Sequence, residues 1–470
     1  MINKKNNISK KNFLLILYLV VLALIGPMIY WLNESKNRNN FSASLQNNAL
    51  KERISVGRKI LVTADTNIPK EEGIKAFSKG NYEGAAQKFA AALKLNSNDP
   101  EALIYRNNSV AIASKNTYRI GVSVPIGGNL GVAKEILRGV AQAQNEVNQA
   151  GGIAGNLVVV EIANDDNNPE IAEQVAKRFV KTQKILAVIG HNDSNASVAA
   201  APIYQQKGLV MITPTSSADI IPTMGTYIFR TTPNSRALAS TLAEYTVNEA
   251  NKSKIALCID SESEVSKSFK EEFIWSIYNL GATIIQTKCD FAAPDFLPSR
   301  IVSQAISDGA DALLVAPSVK RVNKAVKITQ ANDDRLAIFG THGMVTYSTL
   351  KDGQNSVNGM VSVVAWHPTT ESNNSFIQEA NNLWGGSVGW RTAMAYDAAK
   401  TIFAGLNFAS SRDRLQQVLA DPQFTTDGAT ETISFLPSGD RNMRGTMVKV
   451  QPGKLSGTGF DFVSYPQENN

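Results

Sequence analysis

The sequence predicts an α/β protein with two doubly wound parallel sheets in tandem, preceded by a transmembrane helix and a short α-hairpin. Three observations carry this expectation. From Tyr118 onward, short apolar runs alternate with amphipathic stretches through short connections, the pattern of strand–helix–strand units. The same order restarts at Lys254. Near the N-terminus, FLLILYLVVLALIGPMIYWL (residues 13–32) carries no charge and has the length of about 20 residues that crosses a hydrocarbon layer.

Composition sets the frame. A chain of 470 residues, 43% hydrophobic and 19% charged, has room for several globular domains. Much of the net charge of +6 sits at Lys4, Lys5, Lys10 and Lys11, so residues 1–12 form a basic tail expected in the cytoplasm. The chain is therefore expected to be a single-pass plasma-membrane protein with its bulk extracytoplasmic. Tyr30 and Trp31 stand where an outer aromatic belt would lie. Gly26-Pro27-Met28 is followed by bulky Ile29, Tyr30 and Trp31 rather than a small-x-small cleavage site, which favours an uncleaved signal anchor. Beyond the anchor the charges are mixed, which argues against a nucleic-acid surface. His191, His342 and His367 lack metal-ligand spacing, and Asp165-Asp166 has no third ligand nearby, so neither a metal nor another cofactor is expected.

Residues 33–69 are rich in Asn, Ser and Lys and read as a linker. Residues 70–112 read as helices. EEGIKAFSKGNYEGAAQKFAAALKL places Gly73, Ala85, Phe89 and Ala92 at positions that resemble one tetratricopeptide repeat, and PEALIYRNN starts a third helix. Small residues at 73 and 85 let two antiparallel helices approach, with Phe89 and Leu93 filling the groove. One repeat cannot build a peptide-binding groove, so the segment reads as a spacer packed on its own third helix or on the main domain.

The first α/β series has strands at 118–124, 157–163, 185–189 and 209–213, with helices at 134–150, 169–181 and 196–206 between them. The second has strands at 254–259, 283–288, 312–315 and 337–340, with helices at 266–280, 299–307 and 320–331. Cys258 and Cys289 each end a strand in this series. They either pair in an oxidising compartment or remain separate buried thiols. Two such sheets imply two lobes with a cleft, and ligands of open α/β sheets sit beyond the carboxyl ends of the strands.

Several segments in this order together carry a resemblance: YRIGVSVPIGG, LRGVAQAQNEVNQAGGI, EIANDDNNPEIAEQVAKRFV, VIGHNDSNASVAAAPIYQQKGLVMITPTSSA, AYDAAK and ATETISFLPSGDRN. Over residues 118–465 the chain resembles the type I periplasmic solute-binding proteins, in the branched-chain amino acid and amide receptor group. With its anchor and helical spacer it looks like the membrane-tethered cyanobacterial forms. The resemblance implies three crossovers between lobes. One lobe would comprise 118–236 plus 367–440, the other 237–366 plus 441–470.

It also implies site residues. Ser194 falls where the family places a ligand-binding serine, beside Asn195 in the loop Gly190–Ser197; an N-cap is the alternative role for Ser194. Thr215 and Ser217, with Ser216 between them, occupy the positions that hold α-amino and α-carboxyl groups in amino-acid receptors. Hydroxyls bonded to the local backbone are the alternative there. On the facing lobe Val265 replaces the family's tyrosine, and the loop of Ser318 lacks the acidic residue that pairs a ligand ammonium. Glu262 or Glu264 could substitute, or remain solvated loop charges. Asn129, Met344 and Tyr347 are further candidate lining residues, while Trp366 and His367 lie near a crossover. The implied function is an extracytoplasmic receptor that captures a small polar ligand, an amino acid, amide or similar, for an ABC-type permease. A membrane-anchored sensor or a degenerate assembly protein are the alternatives. Catalysis is not expected. The glycine-rich stretch 126–131 has Ile126 where a dinucleotide fingerprint needs glycine, and no phosphate-binding GK[ST] motif or nucleophile elbow follows.

Overall fold

The computed structural model describes residues 48–370 and 375–465, together with Tyr18. Apart from Tyr18, the expected membrane span at 13–32 lies outside the described residues, and among those described no helix is long and apolar enough to cross a membrane.

The first sheet contains β1 (Ile54–Ser55), β2 (Thr117–Val124), β3 (Leu157–Asn164), β4 (Ile185–Ile189), β5 (Val210–Thr213) and β6 (Ile228–Arg230). Its spatial order is β1-β3-β2-β4-β5-β6, parallel except for β1. Runs such as ILAVI and VMIT are continuous rather than alternating because both faces are covered by helices. Three of those helices are α4 (Leu130–Gln149), α5 (Pro169–Lys181) and α6 (Ser194–Gln206). Each starts at an Asn or Asp whose side chain accepts a backbone N–H from the first turn: Asn129, Asn168 and Asp193.

The second sheet contains β7 (Lys254–Ile259), β8 (Thr283–Ile285), β9 (Ala312–Ala316), β10 (Ala337–Gly340), β11 (Val361–Val364), β14 (Thr446–Pro452) and β15 (Phe460–Ser464). Its order is β15-β14-β11-β10-β9-β7-β8, and β14 runs antiparallel to both of its neighbours, β11 and β15. Two short strands, β12 (Thr426–Asp427) and β13 (Thr432–Ile433), pair separately. Cys258 in β7 is disulfide-bonded to Cys289, with their Cα atoms 4.6 Å apart. After β6 the chain enters the second lobe through α7 (Ser235–Glu244), which packs on α8 (Glu264–Asn279). After β11 it returns to the first, where α13 (Trp390–Leu406) lies along α4. That contact is close: a Cβ at Gly139 would sit 2.2 Å from the Thr392 carbonyl oxygen. The chain then crosses back to form β14.

The N-terminal segment departs from the expected linker of residues 33–69, because part of it is folded into the first lobe. Ile54–Ser55 pairs with β3, and the Glu101 carboxylate accepts the Leu61 N–H at 2.7 Å. Three helices follow: α1 (Ile68–Ser78), α2 (Tyr82–Leu95) and α3 (Pro100–Ser114). A Cβ at Gly73 would meet the Phe89 ring at 2.7 Å, so glycine sets how closely α1 and α2 approach. Lys70 is fully buried between Asp99 at 2.7 Å and Glu101 at 2.8 Å. α3 packs against α4 and β3.

Side-chain amides complete the edge of β3 where β1 stops. Asn108 donates to the Val160 carbonyl at 2.7 Å and accepts the Val160 N–H at 2.8 Å. Asn148 does the same for Val158, at 3.0 and 2.7 Å. Two asparagines thus stand in for a neighbouring strand and close an edge that would otherwise pair with other chains. Asn108→Ala would leave the buried Val160 backbone groups without partners. It is expected to cost about 2–4 kcal/mol, read from urea unfolding.

A cleft between the lobes as candidate ligand site

The carboxyl ends of both sheets face a cleft between the lobes. From the first lobe it is lined by Asn192, Asp193, Ser194 and Thr215, and by Trp390 and Arg391 at the start of α13. From the second lobe come Val265, Ser266 and Phe269 of α8, Pro317 and Val319 after β9, and Thr341, His342 and Gly343 after β10.

Ser194 opens α6, but Asp193 is the cap, accepting the Asn195 N–H at 3.0 Å. The Ser194 hydroxyl is thereby free of the capping role; it is buried and has no hydrogen-bond partner. Thr215 lines the cleft with its hydroxyl donating to the Asn192 carbonyl at 2.9 Å. Ser216 is turned inward, its hydroxyl 2.7 Å from that of Ser197. Ser217 is buried and its hydroxyl lacks a partner, yet it does not border the cleft.

The remaining sequence candidates are dispersed. Asn129 is the cap of α4, accepting the Val132 N–H at 3.1 Å. Met344 is fully buried in the core of the second lobe. Tyr347, 59% exposed, begins a short helix (Tyr347–Gly353) and is not among the residues that line the cleft. Ser318 borders a polar groove at the rim with Lys320 and Arg321. Trp366 is core, and His367 bonds Thr369. Asp165 accepts from His191 and Ser123, a buried network that orders the loop. Among the described residues no cluster has the makings of a metal site.

Asn195 bridges the lobes. Its side chain donates to the Glu262 carbonyl at 2.8 Å and accepts the Glu264 N–H at 3.0 Å. The carboxylates of these two glutamates pair with Arg321 and Lys267, and neither borders the cleft. A second bridge runs from the Asp219 N–H to Ser268 on α8, at 3.2 Å. Burial pushes the Asp219 carboxyl up to about 6; Arg230 opposes this and Glu272 adds to it. An acid whose pKa is raised on folding binds its proton more tightly in the native state. Stability is therefore lost as pH rises from about 4 to 6, and the penalty persists above that range. Asp219→Asn is expected to raise the melting temperature at pH 8 and to leave it nearly unchanged at pH 4.

The strongest polar features of the cleft were not singled out from sequence. Arg391 is buried; its Nη1 donates to the Val345 carbonyl at 3.0 Å and lies 3.4 Å from Glu135. Its guanidinium stacks 4.3 Å from the Trp390 ring, and Nη2 has no partner. Burial pulls the Arg391 pKa down, against the pull of Glu135. His342 stands edge-on to Trp390, and burial together with Arg391 pushes its imidazole down to about 3. It is neutral at ordinary pH. His342 Nδ1 and Trp390 Nε1 are both buried without partners.

A family model described as periplasmic binding protein matches residues 117–454. The chain belongs to the periplasmic binding protein family. Among curated members of similar sequence, an amino acid binding protein of Pseudomonas aeruginosa is 23% identical over 299 residues, which covers 63% of this chain and 79% of that protein. The Leu/Ile/Val/Thr-binding protein of Salmonella typhimurium is 23% identical over 339 residues, covering 69% and 87% respectively. Solved structures show the same fold at low identity. The leucine binding protein LivK of Thermotoga maritima superposes with a TM-score of 0.65 at 19% identity, over 74% of this chain and 98% of that one. A solute binding protein from R. palustris in complex with 4-hydroxybenzoate gives 0.64 at 16% identity, over 74% and 96%.

Proposed function

We propose that this protein is a membrane-tethered extracytoplasmic receptor that closes its two lobes on a small solute and delivers it to an ABC-type transporter. One observation carries the reading. Four buried polar atoms without partners (Ser194 Oγ, His342 Nδ1, Trp390 Nε1 and Arg391 Nη2) belong to residues that line a single cleft from both lobes. Burying a polar group without a partner costs about 1–3 kcal/mol, a penalty that a ligand supplying the missing hydrogen bonds removes. The same observation disfavours a degenerate, empty cleft.

Other features support the tethered form. The apolar run at 13–32 supplies the anchor, the disulfide suits an oxidising compartment, and the α1–α3 segment packs on the first lobe as a spacer. The binding functions named for the P. aeruginosa and S. typhimurium relatives point the same way. Thermal melts of the full-length protein in detergent, against amino acids, amides, organic acids and sugars, test the proposal. A true ligand at a hundredfold excess over Kd should stabilise by about 2.7 kcal/mol. Asn195→Ala, which removes one of the inter-lobe bridges, should weaken that ligand roughly tenfold. A complete absence of shifts across the panel would contradict the receptor reading.

A further inference from the structure

We infer that the solute is a small monocarboxylate with an apolar body and no ammonium group, and that Arg391 is the residue that selects it. This rests on the receptor reading above and adds the charge of the ligand. The partnerless atoms include the guanidinium Nη2 of Arg391 and the indole Nε1 of Trp390, neither of which can accept a hydrogen bond. The Ser194 hydroxyl adds a third donor, at the N-terminal end of α6, where the helix dipole also favours negative charge. The fourth partnerless atom, His342 Nδ1, donates or accepts according to the tautomer, so a ligand here must bring acceptors at least for Arg391 and Trp390.

Charged acceptors on the protein side are scarce. Among the described residues, the one carboxylate bordering the cleft is Asp193, and its side chain is committed to the first turn of α6. Glu262 and Glu264 are engaged by Arg321 and Lys267. Glu135 meets Arg391 from outside the cleft lining, and at 3.4 Å the contact is longer than the 2.7–2.9 Å of a strong charge-assisted bond. A ligand ammonium would thus enter beside a buried cation with no anion available to pair it. A carboxylate, by contrast, gives Arg391 the close partner it lacks.

One wall of the cleft is apolar. Val265 and Phe269 of α8, Pro317 and the face of Trp390 form surfaces suited to a flat or branched hydrocarbon body. Val265, smaller than a tyrosine and without its hydroxyl, belongs to this apolar wall. Arg391 also stacks on Trp390, so the cation is held in a fixed orientation.

Titration calorimetry on the full-length protein in detergent decides the matter. Probes are benzoate, phenylacetate and 4-methylpentanoate, compared with phenylalanine, leucine, benzamide and leucinamide. At least one acid should bind, and its amino-acid and amide counterparts should bind about 100-fold more weakly or not at all. Arg391→Met should lower acid affinity about 100-fold, and Arg391→Lys should restore part of it. Trp390→Phe and Ser194→Ala, which each remove one donor, should cost about 5- to 10-fold and carry the test should Arg391→Met fail to fold. Leucine or leucinamide binding as tightly as the best acid would overturn the inference while leaving the receptor reading intact. So would acid affinity unchanged in Arg391→Met, or in both Trp390→Phe and Ser194→Ala. No binding by any probe would count against the receptor reading as well.

Discussion

Replacing Lys70 by methionine is expected to destabilise the protein by about 3–5 kcal/mol, although the residue lies far from the cleft in sequence and in role. Its ammonium is fully buried between the Asp99 and Glu101 carboxylates. Burial alone would pull the Lys70 pKa down, but two carboxylates around one ammonium outweigh it and the net direction is upward. Asp99 is also pushed up, because burial outweighs the opposing pull of Lys70, and the nearby Glu101 adds to the rise. Glu101 also accepts the Leu61 N–H, and Tyr105 donates to it at 3.0 Å, so the cluster ties the segment before α1 to α3. Methionine fills a similar volume yet leaves two buried carboxylates uncompensated. Urea unfolding of the full chain measures the loss, and combining Lys70→Met with Asp99→Asn and Glu101→Gln should recover part of it. A loss below about 1 kcal/mol would show that the cluster is open to water.

The second large effect is expected at Asp397. This carboxylate on α13 is fully buried and accepts from Arg441 at 2.5 Å, the Ala429 N–H at 2.5 Å and the Thr430 hydroxyl at 3.1 Å. Burial pushes its pKa up, and Arg441 is the main opposing influence. Asp397→Ala would strand the Arg441 guanidinium in the protein interior, again at about 3–5 kcal/mol. Arg441 lies just before β14, where the chain crosses to the second lobe, so the loss should also loosen that crossing. Hydrogen exchange should then quicken in residues 428–445 before global unfolding. Uniform exchange across the chain would argue that the pair contributes only to overall stability.

Much of the fold was legible because strands buried on both faces read as short apolar runs and the helices between them have a different period. ILAVI, VMIT and the helix of residues 169–181 are such cases. The edge of the first sheet was not legible. Ile54–Ser55 is too short for any periodicity, and Asn108 and Asn148 look like ordinary helix polar residues until β3 is known to lie at an edge. At the site, the loop carrying Ser194 was legible as a strand-to-helix junction. Asn195 was marked as a ligand residue, whereas its side chain bridges the lobes. Residues 342–344 form one turn of 3₁₀ helix, which aims His342 at the cleft and Met344 at the core, a distinction that depends on local geometry. Arg391 shows little sign of its role in the sequence, where WRTAMAYDAAK is mostly apolar and small residues. The available signal was a lone arginine in an otherwise apolar or small-residue stretch, since a buried charge requires a partner.

The central claim is that the two lobes close on a solute. It is tested most directly by the distance between spin labels at Lys177→Cys on α5 and Lys327→Cys on the helix Val322–Asn332, both exposed, with the native cysteines already paired. Addition of a solute that shifts the melting temperature should convert a broad distribution into a narrower one centred at shorter distance. A distribution that stays the same with that solute bound would contradict closure, and with it the account of the cleft given above.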